Sequence, residues 1–169
     1  MIEIAICQTD PHAALGPLAE IITPPETFGD RRFFTDAIIA SGSGLAPVFH
    51  TNRVAPSCLP LVVDRLERHP HAAQAFMPLD VSRYVVLVAP DTGAGAPDLG
   101  RACAVMLSGN RGILYRPGTW HMGMSVLDGP GVFAVLMWRG RTDDDVLHEI
   151  EGLRITSDND KINQGRNVA

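Results

Sequence analysis

Glycine and proline punctuate this chain so evenly, 16 and 13 of them in 169 residues, that few windows are long enough for an uninterrupted helix. Short extended segments joined by turns are what such spacing allows. The runs between the breakers are rich in Val, Ile, Phe and Tyr, which suit a pleated, half-buried surface. Candidate strands are Ile2–Ile6, Leu45–Thr51, Ala75–Pro78, Arg83–Val88, Gly112–Tyr115, Met122–Leu127 and Val132–Trp138. The segment Leu127-Asp128-Gly129-Pro130-Gly131 reads as a hairpin turn between two apolar runs, and residues 91–98 are too small and flexible to form an element. Helices are expected only at Pro17–Ile22, Leu59–Leu66 and Pro97–Ser108, where apolar residues recur three and four apart and Asp98 can cap the last. They would decorate a sheet. The expected fold is therefore all-β, one domain over residues 1–156 with a few short peripheral helices. Residues 157–169 form a polar tail without periodicity, frayed or part of a subunit contact.

The bulk properties exclude several functions. With 46% hydrophobic residues, the chain can fill the core of one domain. A net charge of −5 does not supply the basic face that a nucleic acid requires. Cys7, Cys58 and Cys103 are far apart and form no C-x-x-C, so neither a disulfide framework nor a zinc knuckle is indicated. The N-terminus lacks the pattern of a signal peptide, and no apolar run approaches the ~20 residues of a membrane helix. A cytoplasmic protein without a membrane or nucleic-acid partner is expected.

Chemistry is concentrated in two segments. Glu67-Arg68-His69-Pro70-His71-Ala72-Ala73-Gln74-Ala75-Phe76 and Gly112-Ile113-Leu114-Tyr115-Arg116-Pro117-Gly118-Thr119-Trp120-His121 together hold three of the six histidines. Period-two alternation along a strand would point His69 and His71 the same way, with Glu67 on their side. If the second segment lies on a neighbouring strand, His121 converges with them, as metal ligands or as a proton-transfer set. His12, His50 and His148 lie in no such segment and are expected to be ordinary surface or core groups, as Trp120 and Phe76 are expected to be packing residues. The run Arg141-Thr142-Asp143-Asp144-Asp145 reads as a solvated loop.

His69-x-His71 with Gln74, followed by Gly112-x4-Pro117-Gly118-x2-His121, resembles the two characteristic segments of the cupin superfamily. That resemblance implies a double-stranded β-helix barrel. Metal-binding cupins place a carboxylate where this chain has Gln74, a poorer ligand for a hard or borderline ion. No metal or organic cofactor is therefore expected, and any divalent ion would fall to His69, His71, Gln74 and His121. The longer wording is similar to the ureidoglycolate lyase family. It comprises Glu67 to Leu79, then Tyr84-Val85-Val86-x-Val88-Ala89-Pro90, Pro97-Asp98-Leu99, and Tyr115-Arg116-x-Gly118-x-Trp120-His121. The resemblance implies a homodimer of purine and allantoin catabolism that splits ureidoglycolate into glyoxylate and urea, and a barrel that holds a small carboxylate. Two departures stand out. Met122-Gly123 replaces the histidine and proline that usually follow His121, and Arg139 lacks the aspartate usually paired with it on the late strand.

Ureidoglycolate is a carbinolamine. Its cleavage needs a base for the hydroxyl proton, an acid for the departing nitrogen and a cation for the carboxylate. His69 and His121 are the expected acid and base, assisted by His71. Arg139, Arg116 or Arg68 would clamp the carboxylate, Gln74 and Tyr115 would bind the ureido group, and Glu67 would orient a histidine. The rival expectation is a divergent cupin, either a metal-dependent enzyme or a non-catalytic binder of small carboxylates.

Overall fold

The computed structural model describes residues 1–157. In chain order its strands are β1 (Ile2–Ala5), β2 (Ala19–Ile22), β3 (Ala46–Val54), β4 (Leu61–Arg68), β5 (Gln74–Asp80) and β6 (Arg83–Ala89), then β7 (Cys103–Ser108), β8 (Gly112–Tyr115), β9 (Trp120–His121), β10 (Ser125–Leu127), β11 (Gly131–Arg139) and β12 (Val146–Thr156). One short helix, α1 (Pro11–Leu15), starts at Asp10, whose carboxylate accepts from the His12 amide, and a 3-10 turn covers Leu99–Arg101.

Strand β6 explains the architecture. Every residue from Tyr84 to Ala89 is buried, and a strand that is apolar on both faces needs a core on each side. Tyr84, Val86 and Val88 enter one core with Phe76, Tyr115 and Phe133. Val85, Leu87 and Ala89 enter a second with Leu66, Trp120 and Leu153. The strands divide between two sheets, one in the order β2-β8-β5-β11-β3 and the other β1-β12-β4-β9-β6-β10, with β7 on β6. The chain passes repeatedly between the two sheets, a double-sheet arrangement of a curled β architecture. Ile6 bridges Ala104 at the start of β7, so the larger sheet curls back on itself around the second core.

All three expected helices are corrected. Residues 19–22 alternate in burial and pair with β8; residues 61–68 pair with β12 and β9; residues 103–108 pair with β6. Buried Val63 and Leu66 sit three apart, like a helical face, because the β4–β12 pairing shifts register beside them. The expected hairpin at 127–131 turns but does not pair: β10 bonds to β6, whereas β11 bonds to β5 and β3 in the other sheet. The expected strand over 122–127 is reduced to β10, with β9 before it. Among the described residues no helix is long and apolar enough to cross a membrane. The expected tail, apart from Ser157, lies outside the described residues.

Candidate active site

The inner face of the five-stranded sheet and the facing edge of β4 enclose an open cavity of about 420 Å³. Period-two alternation decides what reaches it. From β4 come Arg65 and Glu67, while Leu66 turns to the second core. Gln74 and Phe76 arrive from β5, Val135, Met137 and Arg139 from β11, and His50 and Asn52 from β3. A smaller hollow of about 290 Å³ adjoins it and shares Arg65, Glu67 and Gly123.

Glu67, His69 and His121 meet at this wall, each offering a donor atom within 4.8 Å of the others'. Glu67 and His121 are register partners across β4 and β9. His69 follows the end of β4, and its ring centre lies 5.4 Å from that of His121. His69 and His121 are 7% and 1% exposed, so their proton positions follow from their partners. The His121 Nδ1 lies 2.9 Å from the Thr119 carbonyl, which only accepts, so Nδ1 carries hydrogen. Its Nε2 faces Gln74 Oε1 at 3.1 Å and Glu67 Oε1 at 3.4 Å. Both neighbours of Nε2 are acceptors, so a hydrogen on that atom would be met by two oxygens. The His121 contact holds the Glu67 carboxyl below the usual range, with Arg139 adding to it against the cost of burial.

His69 is arranged in the opposite sense. Its Nδ1 donates toward the Asp144 carbonyl at 3.1 Å and the Asp145 carboxylate at 2.9 Å. Its Nε2 is buried without a hydrogen-bond partner. Burial first, and then the nearby His121, depress its pKa, so the ring is neutral with a bare lone pair on Nε2. Tyr115 stacks on His121 with ring centres 4.0 Å apart and is 1% exposed, its hydroxyl without a partner and its ionisation pushed up by burial. It supports the imidazole from behind and does not line the cavity.

Several expected positions lie elsewhere. His71 does not point with His69, because β4 ends at Arg68 and the chain turns through Pro70; its Nε2 meets Asp143 at 2.8 Å. The set expected for an ion, His69, His71, Gln74 and His121, is therefore not brought together, and Glu67 takes the place of His71. Arg68 leans over Trp120, 4.7 Å from the ring centre, and pairs with Asp91. Arg116 pairs with Glu20. Arg139 does line the cavity, and its missing strand aspartate is replaced by Asp145, which pairs with it. The acidic run is thus no free loop: Asp144 is buried and accepts from the Gly140 and Arg141 amides at 2.6 and 2.8 Å, while Asp143 holds His71. His50, expected to be ordinary, reaches the cavity, as do Asn52 and Arg65, which the sequence does not single out, and Asp145, which it places only in a solvated loop. Period two along β3 and β4 was the signal available for Asn52 and Arg65.

The chain is 38% identical over 102 residues to a ureidoglycolate lyase of Burkholderia cepacia (60% of this chain, 54% of the relative). It is 36% identical over 118 residues to one of Burkholderia mallei (65% and 68%), and 41% identical over 70 residues to one of Salmonella paratyphi B (41% and 42%). The matches thus span from under half to about two thirds of those relatives' lengths. Among solved structures, a dTDP sugar isomerase of Desulfovibrio desulfuricans G20 superposes with a TM-score of 0.48 at 17% identity, covering 79% of this chain and 83% of that one. The dTDP-6-deoxy-D-glucose-3,5-epimerase of Legionella pneumophila gives 0.46 at 17% identity, covering 75% and 76%. The family described as ureidoglycolate lyase matches residues 32–156, and the chain belongs to that family.

Proposed function

We propose that this protein is a ureidoglycolate lyase that cleaves its substrate to glyoxylate and urea by acid–base elimination. One observation carries the reading: two neighbouring histidines present unlike Nε2 atoms, that of His69 bare and that of His121 set against Glu67. Such a split separates the acid from the base. His69 Nε2 takes the hydroxyl proton, the electron pair of that O–H bond forms the aldehyde carbonyl, and the C–N bond breaks toward nitrogen. His121 Nε2–H then protonates the departing urea nitrogen. Glu67 stabilises the charged form of His121, and Gln74 fixes the ring. After release, solvent entering the open cavity returns the proton from His69 to His121.

The test is glyoxylate and urea release from racemic ureidoglycolate by purified, chelator-treated protein, with spontaneous decay subtracted. Catalysed release of both supports the lyase without a cofactor, and no release with or without added divalent ions refutes it.

A second reading is favoured by the spacing of Glu67, His69 and His121. Their donor atoms lie within 4.8 Å of one another, and His69 Nε2 is unpartnered, so one divalent ion fits this set. These three residues would hold it, and it would supply Lewis-acid polarisation of the substrate oxygens. Activity lost to the chelator and regained with a divalent ion selects this reading.

We also propose a cytoplasmic homodimer. Free cysteines at 7, 58 and 103 suit a reducing compartment. Phe28, Phe33 and Phe49 are exposed, and the last of them lies on the edge strand β3, which supports a second copy covering that face. Light scattering of the purified protein gives either the dimer mass or, against the reading, the monomer mass.

A further inference from the structure

Two cavity residues take no part in these proton transfers. Asn52 on β3 keeps its Oδ1 buried without a hydrogen-bond partner. Arg65 on β4 faces the same cavity from the other sheet. Arg139 is neutralised by Asp145, Arg68 by Asp91 and Arg116 by Glu20. Arg65 is thus the one cavity-lining arginine that no carboxylate holds among the described residues.

We infer that Asn52 and Arg65 read the two ends of the substrate: Arg65 takes its carboxylate, and Asn52 Oδ1 accepts an N–H of its ureido group. This deepens the lyase reading and rests on it for the identity of the substrate. The argument is one of unmet valence. A buried acceptor without a donor is unfavourable, and the ligand is what supplies the donor. The cavity has two such acceptors, Asn52 Oδ1 and His69 Nε2. An α-hydroxy ureido acid has an O–H for one, N–H groups for the other and an anion for the unspent cation. A simple hydroxy acid leaves Asn52 unsatisfied, and a neutral urea leaves Arg65 idle. The two residues lie on different sheets, so the recognition discriminates both ends of a small molecule across the width of the cavity.

The test is titration calorimetry of the full chain with ureidoacetate, which lacks the hydroxyl and is not cleaved, and with glycolate, which lacks the ureido group. Asn52→Leu is expected to weaken ureidoacetate about tenfold and leave glycolate within about twofold, one lost hydrogen bond being worth about 1.4 kcal/mol, or a factor of ten. Asn52→Ser, a smaller change on the same edge strand, gives the same pattern should the leucine variant fold poorly. Arg65→Met is expected to weaken both ligands about tenfold. Equal weakening of both ligands by the Asn52 variants, no weakening by Arg65→Met, or no binding of ureidoacetate to the wild type overturns the inference. Failure of the lyase reading is separate: the expected binding pattern in a protein that does not cleave ureidoglycolate upholds the subsite and refutes the lyase. Cleavage without the pattern refutes the subsite alone.

Discussion

Replacing His121 with asparagine separates chemistry from folding. The imidazole is 1% exposed, bonded to Thr119 and Gln74, and stacked on Tyr115. Asparagine keeps an amide donor but loses the stack, worth about 0.5–1.5 kcal/mol, and one or two hydrogen bonds of about 1 kcal/mol each. The loss of about 2–3 kcal/mol is well inside a typical stability of about 5–15 kcal/mol. A domain of this size then melts about 5–10 °C lower and remains folded at 25 °C. A general acid contributes about 10²–10⁴ in rate, equivalent to about 2.7–5.4 kcal/mol of barrier. Glyoxylate release at saturating substrate, alongside calorimetric melting of the same preparation, measures both. A folded His121→Asn protein that keeps its rate within about threefold of wild type removes His121 from the chemistry and refutes the acid assignment.

Other outcomes follow from the same contacts. His69 binds a proton less readily in the fold than at its ordinary 6.5, and Glu67 less readily than at 4.5. The unfolded chain therefore takes up protons first, and stability, full above those values, falls as pH drops through 6.5 and again below 4.5; denaturant midpoints that rise on acidification contradict this. Since His69 must be neutral to act as base, the acid limb of kcat/KM is expected below pH 6.5, and a limb above it argues against His69 as base. Asp145→Asn keeps the shape of the His69 contact and removes its charge. The charged contact, discounted for exposure to about 1 kcal/mol, predicts about a fivefold fall in kcat with little change in melting, and an unchanged kcat counts against Asp145 supporting His69 as base. A Cβ at Gly140 would stand 2.0 Å from the Gly44 carbonyl oxygen at a φ of +150°. Gly140→Ala is expected to cost about 1–3 kcal/mol and to lower activity by displacing the turn that carries Asp145, whereas wild-type melting and activity contradict that account.

What was legible in the sequence depended on how local the signal was. Gly112–Tyr115 and the run from Arg83 could be read because breakers bound them and β-formers fill them. Strand β12 was not read, because Gly152, at a φ of +59°, interrupts its alternation and a shifted register absorbs the interruption. The same slip made Val63 and Leu66 look helical. At the site, Glu67, His69, Gln74 and His121 could be nominated from two short segments. The departure of His71 could not, since the strand ends between them and only three-dimensional pairing says where. Arg65, Asn52 and Asp145 are ordinary polar residues locally. Their meaning arises from the opposite wall of the cavity, which no window of sequence contains.

The pairing of Glu67 with His121 through the β4–β9 ladder has a consequence for how this centre can change over time. Trp120 fills the second core while the adjacent His121 turns to Gln74 and Glu67, so a slip of one residue along β9 would exchange indole for imidazole and open a hole where the indole had been. The positions of His121 and Glu67 are therefore fixed together with the seam that joins two parts of the sheet. Substitutions on the cavity walls, at Asn52, Arg65 or Gly123, leave that ladder untouched.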